Sequence, residues 1–142
     1  MTDEYNLGRF IEAQEDGYSD AIRAIRTRVL DPAWMAFVFP RFVNCYHDST
    51  TSKFAIESLD EARAYLAHPV LGGRLRESLG ALEWMWDLDV DEVLSDKDKR
   101  NLHSSLTLFA EATNEPLMRQ MLSIWFACRA DEITIIQLDL RP

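Results

Sequence analysis

The apolar residues of this chain recur at helical spacing, in short runs cut apart by prolines and capping residues. Leu7, Phe10, Ile11 and Gln14 follow the i, i+3, i+4, i+7 template, with Asn6 as N-cap and Gly17 as the stop. From Ser19 a second stretch turns Tyr18, Ala21, Ile22, Ile25 and Val29 inward. Asp31 and Pro32, an N-cap followed by proline at the first helical position, open the run Trp34–Phe39, which Pro40 stops. That run is apolar on nearly every side and belongs in the centre of a core; periodicity alone leaves a strand open there.

Ser58 and Glu61 make a capping box, and the helix behind them carries Leu59, Ala62, Tyr65 and Leu66 on one face. His68 ends it, because the residue before a proline is pushed out of the helical region. Pro69 starts the next helix, with Leu71, Leu75, Leu79, Leu82 and Trp86 in one stripe. A helical turn or two over 89–94 follows, then a second capping-box-like start at Ser95 leading to Leu102, Leu106 and Phe109. Pro116 starts a helix with Met118, Met121, Leu122 and Trp125 inward. The tail Ile133–Leu138 is rich in β-branched residues, which favour a strand. Asp131 suits an N-cap, however, and no other strong strand exists to pair with it, so a short helix is expected. The punctuation predicts an all-α chain, an irregular orthogonal bundle of eight or nine short helices, rather than four long ones. With no repeat, linker or low-complexity segment, 1–142 reads as a single helical domain.

Composition narrows the function classes. The net charge is −9, from 24 acids against 15 bases, whereas nucleic-acid binding draws on neutralising phosphates with Lys and Arg. No nucleic-acid partner is expected. Arg23, Arg26 and Arg28 cluster, and a solvated helix face is preferred to an anion site. Nothing approaches the roughly 20 consecutive apolar residues of a membrane span, so no membrane partner is expected either. Cys45 and Cys128 are too few for a disulfide framework and read as free thiols. The acidic first residues, with no apolar run, point to the cytoplasm.

Several blocks together carry a family resemblance: Arg9–Gln14, Trp34–Pro40, Phe54–Leu75 and Ser104–Phe109. Over nearly its whole length the chain resembles the mostly bacterial family termed domain of unknown function 1810. The resemblance implies a mainly helical fold and no particular activity. Family members usually carry a second Trp where Ala36 stands and a Gln where Arg41 stands. They usually carry Gly-Leu-Gly-x-Ser in place of Asn44–Asp48, and Lys-Leu-Arg in place of Asn101, Leu102 and His103. These departures cluster in the polar, non-periodic segments, so a ligand pocket built there would be altered. A shorter likeness, Phe-x-x-Ala-Gln at Phe10, Ala13 and Gln14, joins the chain to N-glycosidase-like proteins that act on nicotinamide riboside and ADP-ribose derivatives.

The polar positions give a set of candidates. Cys45 and His47, with Asp48 beside them, could form a thiolate pair or half a metal site, but two ligands are too few for zinc. No metal and no cofactor are expected. Glu12 is a carboxylate of the kind a glycosidase needs, and Gln14, on an apolar stripe, should be buried and hydrogen-bonded. Residues 68–74 place two glycines and Arg74 at a helix start, where a tight helix corner is preferred to a phosphate site. Ser104, Ser105 and Thr107 are small hydroxyls suited to close helix approach or to lining a pocket. The candidate ligand-binding residues are Glu12, Gln14, Trp34, Arg41, His47, Asp48 and Ser104; no catalytic residue is assigned.

The resulting expectation is a module that binds a small ligand or a protein, without demonstrable catalysis. The alternatives are an N-glycosidase-like hydrolase acting on a nucleotide or ADP-ribose derivative, and a homodimer joined through an exposed apolar surface.

Overall fold

A computed structural model describes residues 5–15, 18, 22–23, 39–40, 55–83 and 96–139 of the chain. Six helices lie among them: α1 (Gly8–Glu15), α2 (Leu59–Ala67), α3 (Leu71–Glu83), α4 (Asp96–Ala112), α5 (Pro116–Phe126) and α6 (Glu132–Asp139). The described residues are all-α; the segments expected to bring the total to eight or nine helices fall largely outside them. No β-strand occurs among those residues, where Ile56 makes an isolated bridge.

The longest helix, α4, packs against α2, α5 and α6, while α3 packs against α2 and α5. The apolar stripes meet between them: Leu71, Leu75, Leu79 and Leu82 from α3, Leu102, Leu106 and Phe109 from α4, and Met118, Met121, Leu122 and Trp125 from α5 are all buried. Tyr65 is fully buried near the middle. Its ring meets Phe10 edge-on at 5.0 Å and Phe109 at 5.5 Å, joining α1, α2 and α4. Such aromatic pairs add about 1 kcal/mol each beyond the area they bury. Phe39, the end of the apolar run stopped by Pro40, is also fully buried, and its carbonyl accepts a 3.0 Å bond from the buried Asn101 amide.

The capping box at Ser58 forms, with one change. Ser58 Oγ accepts from the Glu61 N–H at 3.0 Å, but Glu61 reaches back to the N–H of Glu57 rather than that of Ser58. The other Glu61 oxygen takes a 2.8 Å ion pair from Arg9. Asn6 does not act as the extended N-cap expected for α1. It adopts a left-handed φ of 52°, which Asn tolerates, and its backbone carbonyl accepts from Arg9.

His68 leaves the helical region, as the following proline requires, and then serves both neighbours. Its backbone N–H caps the last carbonyls of α2, while its Nδ1 accepts from the N–H groups of Val70 and Leu71 at the start of α3. The N–H groups of Val70, Leu71 and Gly72, which an anion site at this helix start would use, are thus engaged by His68, and the segment is a tight corner. The corner depends on Gly72. A Cβ there would lie 2.1 Å from the Leu66 carbonyl oxygen, whereas one on Gly73 meets nothing within 4 Å.

The β-branched tail forms a helix because tertiary bonds outweigh its strand propensity. Asp131 caps α6 by accepting from the Thr134 N–H and hydroxyl at 3.1 and 2.6 Å. The Asp131 N–H donates to Thr107 Oγ1 at 2.8 Å, and Ser104 shares a buried 2.8 Å bond with Thr134.

Gly72→Ala should therefore destabilise the chain by about 2 kcal/mol or more, as overpacking against a fixed backbone does. Gly73→Ala should be neutral or stabilise by up to about 1 kcal/mol through helix propensity. Urea unfolding midpoints of the two variants test the contrast; equal effects would refute the close approach.

Candidate functional site

Most of the polar side chains buried at the helix joints are committed to structure, and one corner differs. It lies where the C-terminal end of α1 meets α3. The apolar stripe of α1 brings Gln14 inward beside Phe10, and Gln14 is buried as its position on that stripe predicts. Its amide bridges two helices: Nε2 donates to the Tyr65 hydroxyl of α2, and Oε1 accepts from Arg74 of α3, both at 3.3 Å. The leucine stripe of α3 faces the core, which leaves Arg74, Glu77 and Ser78 along its border.

Tyr18 completes the corner from the other side. Its ring lies under the Arg74 guanidinium, with Cζ 4.9 Å from the ring centroid. Its hydroxyl donates to Glu77 Oε1 and lies 3.2 Å from the Arg74 carbonyl, which also accepts from Ser78 Oγ at 2.8 Å. Burial first, and then the hydrogen bond to Glu77, hold the Tyr18 phenol well above the usual tyrosine range. The corner thus presents a guanidinium, a carboxylate and a phenol around a fixed neutral amide.

The candidates read from sequence fall in different places. Gln14 is part of this corner, whereas Glu12 is exposed on α1. Ser104 is fully buried and engaged with Thr134 across α4 and α6, so its partners differ from those of Gln14. Trp34, Arg41, His47 and Asp48 lie outside the described residues, as do Cys45, Arg26 and Arg28. Cys128 is exposed. Among the described residues no group of three His, Cys, Asp or Glu side chains could hold a metal ion, and no helix is long and apolar enough to cross a membrane.

Sequence reasoning missed the pairing of Tyr18 and Glu77 and read Arg74 as part of a helix start. The available signal was the i, i+3 placement of Arg74 and Glu77 beside the leucine stripe. Asn101 and His103 have structural roles. Asn101 bonds the Phe39 carbonyl, and His103 stacks on Phe126 at 4.1 Å with Nε2 2.7 Å from the Arg129 carbonyl.

The raised Tyr18 pKa sets a pH dependence. The folded state holds the phenol proton more tightly than the unfolded state, so this contribution to stability is complete below the ordinary tyrosine value of 10.0 and is lost as pH rises past it. The phenolate absorbance difference between the parent chain and Tyr18→Phe should rise later than that of free tyrosine. A rise at the ordinary pH would show that Tyr18 is neither buried nor bound to Glu77 as described.

Comparison with known proteins adds family and fold. The conserved hypothetical protein Rv1873 from Mycobacterium tuberculosis, solved as a crystal structure, superposes with a TM-score of 0.93 at 31% identity, covering 98% of this chain and 100% of that one. No curated protein matches the chain at a significant level. The profile described as a protein of unknown function (DUF1810) matches residues 4–138. With the match spanning almost the whole chain and the fold shared with Rv1873, the chain belongs to the DUF1810 family.

Proposed function

We propose that this chain is a small-ligand-binding module whose recognition centre is the corner formed by Gln14, Tyr18, Arg74 and Glu77. One observation carries the reading. These polar groups of differing chemistry converge at the edge of an apolar core, oriented by a buried amide that is itself fixed by Tyr65. Pockets that recognise small molecules combine apolar walls with a few convergent polar groups in this way. Neighbouring buried polar groups, such as Ser104 and Thr134, satisfy one another between packed helices.

A second reading, an N-glycosidase-like hydrolase, is favoured by one feature. An arginine and a carboxylate, Arg74 and Glu77, meet the same tyrosine beside Gln14. Hydrolysis at an anomeric carbon calls for a carboxylate that stabilises or activates the attack. Both Glu77 and Glu12 are exposed, but Glu77 contacts Tyr18 within this cluster, which favours it for that role.

A thermal-shift screen against nucleotides, sugar phosphates and their neutral counterparts tests both readings. A ligand at about a hundredfold excess over its dissociation constant adds about 2.7 kcal/mol, or roughly 5–10 °C in Tm for a chain of this size. At least one compound should give such a shift in the parent, and Tyr18→Phe and Arg74→Gln should reduce it. The absence of a shift from any nucleotide removes the hydrolase reading. Shifts unaffected by both variants remove this corner as the binding site.

A further inference from the structure

Arg9, Arg63 and Arg76 each contact a carboxylate at 2.8 Å. Arg74, at this corner, makes no ion pair among the described residues. Arg100, Arg119 and Arg129 also lack one among the described residues, but they are exposed, where hydration suffices. Arg74 is half-buried, and both of its side-chain contacts orient it without neutralising it: the Gln14 amide oxygen at 3.3 Å and the face of Tyr18.

A guanidinium carries more N–H donors than those contacts use. The remaining donors form a planar fork that matches a carboxylate or a phosphate. Partial burial strengthens such a contact relative to one in bulk water and weakens its screening by salt. The neutral amide of Gln14, locked by Tyr65, sets the guanidinium in place before a ligand arrives, which lowers the ordering cost of binding.

We propose that Arg74 binds the oxyanion group, a phosphate or a carboxylate, of a small molecule, with Gln14 and Tyr18 as positioning residues. This inference rests on the small-ligand reading and narrows it to anionic ligands. Glu77 limits the affinity. Its carboxylate stands one turn along α3 from Arg74 and is engaged by the Tyr18 hydroxyl, so its charge opposes an incoming anion.

The test is NMR titration of the full chain with sodium phosphate, sodium acetate, adenosine and ribose at constant ionic strength, read at the Arg74 Nε–H and the Gln14 side-chain amide. Phosphate or acetate should shift both signals saturably, and the tighter of the two identifies the group recognised. Arg74→Gln should abolish the response, and Arg74→Lys, which keeps the charge but loses the fork, should weaken it about tenfold. Glu77→Gln, which keeps a hydrogen-bond acceptor for Tyr18, should strengthen it roughly threefold. Should Arg74→Gln fail to fold, the other two variants carry the test. Signals moved by adenosine or ribose but by neither anion overturn the inference and leave the small-ligand reading standing. Signals moved by none of the four compounds overturn both. A linear drift shared with Arg100, Arg119 and Arg129 is a bulk salt effect and overturns the oxyanion site.

Discussion

The placement of the corner depends on the ion pair between Arg9 and Glu61. The Glu61 side chain is only 5% exposed, and a carboxylate so placed needs a partner and hydrogen bonds to remain charged. Arg9 supplies the partner and in turn donates to the carbonyls of Tyr5, Asn6 and Ala55. Glu61 also accepts from the Glu57 N–H at the start of α2. The pair therefore fixes α1 against the start of α2, and the direction of α1 carries Gln14 to Tyr65 and Arg74. Breaking such a buried pair from one side typically costs 3–5 kcal/mol, so the geometry around Arg74 rests on an interaction remote from it.

The two ends of the structure use polar chemistry differently. At α6, hydroxyls from Ser104, Thr107 and Thr134 close on one another and on Asp131, leaving a short helix fastened to α4. At the end of α1, the groups oppose one another instead: a cation with a neutral acceptor, and a carboxylate with a phenol. The first arrangement is complete without a ligand. The second leaves Arg74 without an ion pair among the described residues, which is the observation behind its proposed role in recognition.

The parts of this architecture that follow local rules were legible in the sequence. The stripe from Leu71 to Leu82, the Ser58 cap and the break at His68 each arise from contacts within a few residues, and each is found. The corner was only partly legible. Burial of Gln14 followed from its position on a helical stripe, but its partners Tyr65 and Arg74 lie 51 and 60 residues away. Periodicity carries no information about such pairings. Asn6 was misread because capping preference describes an extended residue, while the bonds from Arg9 to the Tyr5 and Asn6 carbonyls accompany a left-handed one. The tail was close to a tie between helix and strand, decided by Thr107 and Ser104 on α4.

His68 has a consequence for the motions of the fold. One residue closes the end of α2 with its backbone and the beginning of α3 with its imidazole. Helix ends ordinarily fray independently of one another, but here a displacement of one residue releases both. Amide protons on either side of the joint should thus open together, as a single cooperative unit.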